Sequence, residues 1–484
     1  MALQVYNTLH RRKEPFTPQH EGYVGMYVCG PTVYGDSHLG HAKSYVSFDV
    51  IVRHLRSLGY RVLYVQNITD VGHLTDNADQ GEDKLDRQAR IDRIHPMQLA
   101  ETYTRSYFED MDALNVLRPD IVPRASGHIT EQIAIVQALI NKGMAYVANG
   151  SVYFDVGTFP AYGKLSGRTV EDLNAGARVE IKEEKKHPAD FALWKKADTT
   201  HIMRWPSPWG EGFPGWHIEC SAMSMKYLGE GFDIHGGGME NQFPHHECEI
   251  AQSEGATGKP FVRYWLHNNM VTVGGKKMGK SLGNFLTLKD AFAKWDPQVV
   301  RFFILQSHYR STLDFSDEAL DGARAGYEKL ANTLRNLREK ITHAIAPGGG
   351  ETGIDLDRRT AEFQGAMDDD FNTPQAIAVL FDVARELNQA FASEKNYSRT
   401  SLEAIDRWYA LHAGSVLGIT TGSAGGTESS GTLVGPIVDL LIAVRGDIRA
   451  QKLWALSDKI RDGLARIGIG LEDKKTGTTW KRVS

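Results

Sequence analysis

The sequence predicts a parallel α/β domain carrying an inserted segment, followed by helices and a small C-terminal region. Three observations lead there. Residues 22–30 (GYVGMYVCG), the amphipathic stretch after them and 61–69 (RVLYVQNIT) give strand, loop, helix, strand, the opening unit of a parallel sheet. The same alternation returns from Trp216, after a stretch of weak periodicity. Glycine-rich segments, APGGGETG near 347 and TTGSAGGTESSGT near 425, then punctuate a helical remainder.

The first strand stops at Gly30-Pro31. In the segment that follows, Val46, Val50 and Leu55 form the apolar face of a helix and Gly59 ends it. Residues 75–92 are strongly charged and predict a solvent-facing excursion; helical patterning resumes near Met97 and runs towards Leu117. Pro119 and Pro123 break it. A helix over 128–142 and a hairpin at Asn149-Gly150 come next. The stretch 122–207 reads as an insertion, because chemistry-bearing residues flank it and few lie inside. GWHIECSAMSMKYLG predicts a helix closed by Gly229, and FDIHGGGMENQFPHHECEIAQSEGAT a strand, a glycine loop and a second helix. Residues 261–292 predict a short hairpin, a basic loop and a helix start. Residues 316–345 and 360–418 read as helical, and 434–467 as one helix before the tail LEDKKTGTTWKRVS.

Composition narrows the class more than the function. Of 484 residues, 41% are hydrophobic and 24% charged, an ordinary soluble globular balance. Three cysteines in so long a chain give no disulfide scaffold and fit a reducing compartment. The N-terminus lacks the apolar core of a signal peptide, and no run of eighteen apolar residues predicts a membrane span. A net charge of -5 argues against promiscuous nucleic-acid binding but leaves room for a local basic face.

Chemistry concentrates in three places. Cys29, Cys220, His245 and Glu249 form a candidate metal set of mixed S, N and O donors, with His245 and Glu249 four apart on one helical face. The alternative is that both cysteines are small buried hydrophobes. His246, Cys248, His217 and His235 compete for the role; Cys248 reads better as a helical cysteine packed against the sheet. In PTVYGDSHLGH, His38 and His41 flank Gly40 where strand gives way to helix. Helix N-termini offer N–H groups to phosphate, and imidazole donates without a permanent charge. This is not a Walker A loop. Lys276, Lys277 and Lys280 crowd a glycine-flanked loop able to close over a polyphosphate, or to be a solvated turn.

These strings together resemble the bacterial cysteinyl-tRNA synthetases, a class I aminoacyl-tRNA synthetase family. MYVCGPTVYGDSHLGHAKSY at 26–45 looks like the family's first signature, with His38-Leu39-Gly40-His41 as its HIGH element. GWHIECSAM and DIHGGGMENQFPHHECEIAQSE match its zinc-site motifs, and Lys277-Met278-Gly279-Lys280-Ser281 its KMSKS element. FQGAMDDDFNTPQA at 363–376 and LSDKIRDGLARIGIGLEDKKTGTTW at 456–480 resemble its helical and C-terminal regions, so the likeness runs end to end. It departs at Gly279 for serine, Leu39 for isoleucine, Cys248 for asparagine, and in a longer loop after Asp70.

The resemblance implies a Rossmann-like catalytic domain (1–121 and 208–270) interrupted by a connective insertion (122–207). A KMSKS and stem-contact region (271–315), a helical tRNA-binding bundle (316–420) and an anticodon-recognition domain (434–484) follow. It implies ATP-dependent ligation of L-cysteine to tRNA(Cys), with Mg²⁺ accompanying ATP, by a cytoplasmic monomer without membrane attachment. One Zn²⁺ on Cys29, Cys220, His245 and Glu249 would read the substrate thiol. His38, His41, Lys277 and Lys280 would be catalytic. Thr32 and Gly40 would join them in holding ATP, and Trp216, His217 and His235 would shape the substrate pocket. Arg445, Arg449, Lys452, Lys459, Arg461 and Arg466, with Trp454 and Trp480, would face RNA. Two rivals share part of this pattern: a cysteine ligase of thiol biosynthesis, which would lack the tRNA-reading tail, and a catalytically inactive zinc-stabilised RNA-binding protein.

Overall fold

A computed structural model describes residues 2–72, 84–168, 184–199, 201–279, 284–344, 349–393, 395–420, 430–466, 469–474 and 477–482. The chain divides into two units, 1–421 and 422–484. In the first, β1 (Gln4–Asn7) and β2 (Arg12–Pro15) make a small antiparallel ribbon ahead of β3 (Tyr23–Val28), α1 (Leu39–Ser57) and β4 (Arg61–Gln66). Then come α2 (Lys84–Asp92), α3 (Pro96–Ala113) and α4 (Ile129–Asn141). Four strands follow, β5 (Ala145–Ala148), β6 (Ser151–Phe154), β7 (Phe191–Lys196) and β8 (Gly212–Pro214), the last beyond the boundary at 207 expected for the insertion. They are followed by α5 (Trp216–Leu228), β9 (Phe232–Gly238), α6 (Glu247–Thr257) and β10 (Val262–Asn268).

The central sheet has the order β10-β9-β3-β4, every pair parallel. Such a sheet is covered on both faces, which is why five of the six residues of β3 and all seven of β9 are buried. The chain leaves β3 in one direction to reach β4 and returns on the other side as β9. The carboxyl ends of β3 and β9 therefore flank a topological switch point, where open α/β sheets bind their ligands. Helix α1 covers the sheet with Val46, Val50 and Leu55 inward, and Gly59, at φ 89°, ends it as its spacing predicts. The inserted strands form a separate antiparallel sheet, β5-β6-β7-β8, over a core of Val152, Phe154, Leu193 and Trp194. Its first hairpin turns at Asn149 and Gly150, both at positive φ, as a two-residue loop requires.

Beyond the central sheet, β11 (Val271–Val273), β12 (Lys276–Lys277) and β13 (Leu313–Phe315) form a third sheet, and α7 (Leu288–Lys294) and α8 (Pro297–Leu305) lie between β12 and β13 in sequence. Helices α9 (Asp317–His343), α10 (Leu356–Asp368), α11 (Thr373–Ala392) and α12 (Arg399–Tyr409) complete the first unit. The second contains α13 (Ser430–Ala450), α14 (Trp454–Arg466) and the hairpin β14 (Ile469–Lys474) and β15 (Gly477–Arg482), around Val438, Leu464 and Ile469. Among the described residues no helix is long and apolar enough to cross a membrane.

Four sequence expectations change. Residues 84–92, read as part of a solvent-facing excursion, form α2 and bury Leu85 and Ala89. Gly236, Gly237 and Gly238 belong to β9 and pair with β10 rather than forming a loop. The single helix expected over 434–467 is two, broken where Lys452 takes a left-handed φ of 59°. Arg445 is buried in its unit, whereas Lys452, Lys459, Arg461, Arg466 and Trp454 are exposed.

Candidate active site and metal cluster

Each of the four metal-set residues comes from a different structural device, and all converge at the switch point. Cys29 ends β3, where its N–H donates to the Gly236 carbonyl of β9 at 3.0 Å. Cys220 lies in the second turn of α5. His245 occupies the irregular turn before α6, and Glu249 lies in the first turn of that helix, so the four-residue spacing still stacks them. One donor atom from each lies within 4.8 Å of the others, and all four side chains are buried. His245 Nε2 is 3.1 Å from Glu249 Oε1.

The electrostatics suit a cation. Burial pushes the Cys220 thiol up, but the Cys29 hydrogen bond and His245 outweigh it, so it falls to about 6. Burial likewise raises Glu249, while His235 and His245 bring it down to about 2. Burial lowers His245, yet Glu249 and Cys220 lift it to about 10. Burial holds the Cys29 thiol well above its ordinary value. Two sulfurs, an imidazole and a carboxylate withdrawn from water form a donor set that fits a metal ion.

A second layer orients these donors. His217 Nδ1 lies 2.9 Å from His245 Nδ1, and the Trp216 ring lies against that of His245, centroids 4.3 Å apart and planes tilted by 36°. His235 Nε2 lies 2.8 Å from Glu249 Oε2, with its ring against Trp265 at 4.6 Å. His246 Nε2 sits 3.2 Å from Cys29 Sγ, and its Nδ1 meets His267 Nε2 at 2.8 Å. Cys29, His235, His246 and Glu249 form a second group with donors within 4.8 Å. His267 escaped the sequence reading, since β10 is buried almost throughout and no alternation marks it. Asn67 escaped too. Its Oδ1 accepts the Gly30 N–H at 2.8 Å and lies 3.8 Å from Cys220 Sγ. Cys248 faces the inserted sheet instead, 3.5 Å from the Tyr162 hydroxyl.

The histidine pair opens α1 from the same loop. His38 is the N-cap: its Nδ1 accepts the Gly40 N–H at 3.1 Å, and His41 Nδ1 accepts the His38 N–H at 3.3 Å. Thr32 bridges Thr69 across the ends of β3 and β4. A Cβ on Gly40 would lie 2.9 Å from His38 Cε1 and 3.9 Å from Met278 Cε, so the Met278 side chain reaches the turn that carries the pair. Lys277 is exposed on β12, and its carbonyl accepts from Asn284 Nδ2 at 3.1 Å. Lys280 falls outside the described residues. The HLGH helix and the metal cluster touch through Tyr45, whose hydroxyl donates to the Cys29 carbonyl at 3.4 Å.

Residues 15–325 match the family described as the tRNA synthetases class I (C) catalytic domain, and residues 362–421 match the DALR domain. The solved Mycobacterium tuberculosis methionyl-tRNA synthetase in complex with methionyl-adenylate shares the fold, with a TM-score of 0.59 at 16% identity over 87% of this chain and 94% of that one. The fold and the crevice thus define a class I aminoacyl-tRNA synthetase. The chain is 56% identical to the cysteine--tRNA ligase of Chlorobaculum tepidum over 99% of both proteins. It is 53% identical to that of Deinococcus radiodurans over 99% of this chain and 97% of the relative. The chain belongs to the cysteine--tRNA ligases.

Proposed function

We propose that this crevice performs both halves of cysteine ligation to tRNA(Cys), with Zn²⁺ held by Cys29, Cys220, His245 and Glu249. The cysteine carboxylate attacks the α-phosphorus of ATP, the bond to the β-phosphate oxygen breaks, and pyrophosphate leaves cysteinyl-adenylate. A ribose hydroxyl of the tRNA's terminal adenosine then attacks the activated carbonyl, the bond from the carbonyl carbon to the phosphate oxygen breaks, AMP departs, and the hydroxyl proton passes to solvent.

When bound, zinc supplies a soft Lewis-acid contact to the substrate thiol that a serine hydroxyl does not match. A preference of roughly 10⁴ needs about 5.5 kcal/mol, within reach of such a contact. Trp216, His217 and His235 wall the substrate and hold the donors in register. His38 and His41, each accepting a backbone N–H on Nδ1, keep their protons on Nε2 and donate them to oxygens on the transferring phosphorus. Thr32 and Gly40 border the ATP, Gly40 by allowing close backbone approach. Lys277 and Lys280 offset charge on the departing pyrophosphate, which Mg²⁺ accompanies. No general base is required, because catalysis here is positioning and electrostatics.

The reading rests on one observation: two thiols, an imidazole and a carboxylate, buried and mutually within 4.8 Å, at the end of the strand whose loop leads into HLGH. The connective insertion, the stem-contact region, the tRNA-binding bundle and the anticodon-recognition tail follow as roles for 122–207, 271–315, 316–420 and 434–484. A cytoplasmic monomer completes the proposal. Cysteine-dependent ATP–pyrophosphate exchange, then charging of tRNA(Cys), with metal analysis on the same sample, tests it. About one zinc per chain with both activities is expected; full activity without metal overturns the zinc assignment, and exchange without charging overturns the tRNA assignment.

A further inference from the structure

Lys43 lies on α1 two residues after His41 and is 1% exposed, with no role in the chemistry above. A buried ammonium is tolerated only where acceptors replace water. Its Nζ donates to the Met270 carbonyl at 3.3 Å and, at short range, to the Ser311 carbonyl. These two acceptors stand at one place in the fold. Met270 precedes β11 and Ser311 precedes β13, and β11 and β13 pair from Val271 and Leu313 onward. The Met270 carbonyl also accepts the Leu313 N–H at 3.1 Å, so Lys43 closes the root of this sheet.

The other end of the sheet carries the basic loop. Strand β11 turns through Gly274 and Gly275 into β12, where Thr272 and Val273 pair with Lys277 and Lys276. Asp314 on β13 fixes that turn, accepting from Thr272 Oγ1 at 2.6 Å and the Gly275 N–H at 2.8 Å. Because α1 is one rigid helix, the element that presents His38 and His41 also grips the base from which Lys277 projects. A second tie reinforces the first: the Leu288 N–H, just beyond the loop, donates to the Ser37 carbonyl at 2.8 Å. We propose that Lys43 is a positioning residue that sets the Lys277 loop in register with the histidine pair, through the shared root of β11 and β13.

This rests on the role given to Lys277 in ATP activation, and a double-mutant cycle separates the two. Lys43→Met should slow pyrophosphate exchange at saturating substrates by about ten- to thirty-fold, since small misplacements of catalytic groups cost that order. Zinc content and KM for cysteine should stay unchanged. Against Lys277→Ala, the double variant should be no more than about threefold slower than Lys277→Ala alone, because both changes remove the same contribution. Losses that multiply would overturn the inference, as would normal exchange in Lys43→Met beside an impaired Lys277→Ala. Normal exchange in both single variants would overturn the role of Lys277 itself. Should Lys43→Met not fold, Lys43→Gln, shorter and uncharged but with an amide NH₂ to donate, is read through the same cycle with the same criteria.

Discussion

His38 and His41 stack with ring centroids 3.8 Å apart and planes 18° from parallel, each with Nδ1 occupied by a backbone N–H. The stacking has an electrostatic consequence. Burial, with His38 beside it, holds the His41 pKa well below 6.5, so His41 stays neutral through the physiological range and serves as a donor, not as a cation. His41→Ala should therefore lower the pyrophosphate-exchange rate by about 10²–10³, the cost of losing one preorganised donor. The wild-type pH profile should carry no inflection near 6.5 belonging to this residue. An inflection there that His41→Asn abolishes would defeat the assignment.

The parts of the site legible in sequence were those with a chemical identity of their own. Cys29, Cys220, His245 and Glu249 announce themselves as donors, and the four-residue spacing of the last two survives the irregular turn between Gln242 and His246. What escaped depends on contacts between distant segments. The glycine triplet reads as a loop by composition, but Gly236 pairs within the sheet, and it is glycine there because a Cβ would lie 2.4 Å from Phe48 Cε1. The break between α13 and α14 falls at Lys452 in a left-handed conformation, where neither glycine nor proline signals it. Asn67 carries no motif of its own and acquires its place from the approach of β4 to Gly30.

That approach is the second test. A Cβ on Gly30 would stand 1.5 Å from the Asn67 carbonyl oxygen, a clash no rotamer relieves because the Cβ position is fixed by its own backbone and the atom it meets is backbone. Gly30→Ala should push apart the segments after β3 and β4 and move Cys29 with them. Retained zinc is expected to fall below half of the wild-type content in protein that is still folded by circular dichroism. Full zinc content in that variant would show that the loop gives way without disturbing the cluster.

The three cysteines should separate cleanly. Cys220→Ser removes a sulfur from the donor set and is expected to lower zinc affinity by at least the 10–100-fold typical of outer-shell losses, with a matching fall in cysteine-over-serine selection. Cys248→Ser alters a contact with Tyr162 in a separate buried cluster and should leave both unchanged. Chelator competition with a chromophoric zinc indicator reads the affinities. Equal losses in the two variants would place Cys248 in the metal site.

Lys43 gives stability a defined pH dependence. Burial lowers its pKa from 10.5 to about 8, with Glu240 acting in the opposite direction. Between those values the unfolded chain binds a proton that the folded chain does not, so folding stability gains from this residue as pH rises from about 8 to 10.5 and is independent of it below 8. Subtracting the urea midpoint of Lys43→Met from that of the wild type at each pH isolates the effect. A difference that stays constant from pH 7 to 10.5 would mean that the lysine ionises as it does in water.

Arg301 makes the strongest stability test, because its whole donor fork is used and its side chain is fully buried. From α8 it donates to the Leu417 carbonyl through Nε and Nη2 at 2.9 and 2.8 Å, and to the Leu114 and Asn115 carbonyls through Nη1 at 2.9 and 3.0 Å. Nη2 also pairs closely with the Asp49 carboxylate on α1. One side chain thereby joins the histidine-bearing helix, the end of α3 and the chain leaving the helical bundle. Arg301→Met takes the donors from the Leu417 and Leu114 carbonyls and from part of a carboxylate, while the Asn115 carbonyl keeps Arg53 Nη2 at 2.7 Å, a loss of about 3–5 kcal/mol for a broken buried pair. Asp49 keeps the Arg53 Nε and the Leu117 N–H, each at 2.8 Å, so its charge is not abandoned entirely. Asp49→Asn with Arg301→Met should accordingly cost less than the two single changes added, since both remove the same pair. The main urea transition of the three variants decides it; a loss below about 1 kcal/mol in Arg301→Met would show that water replaces the guanidinium at this junction.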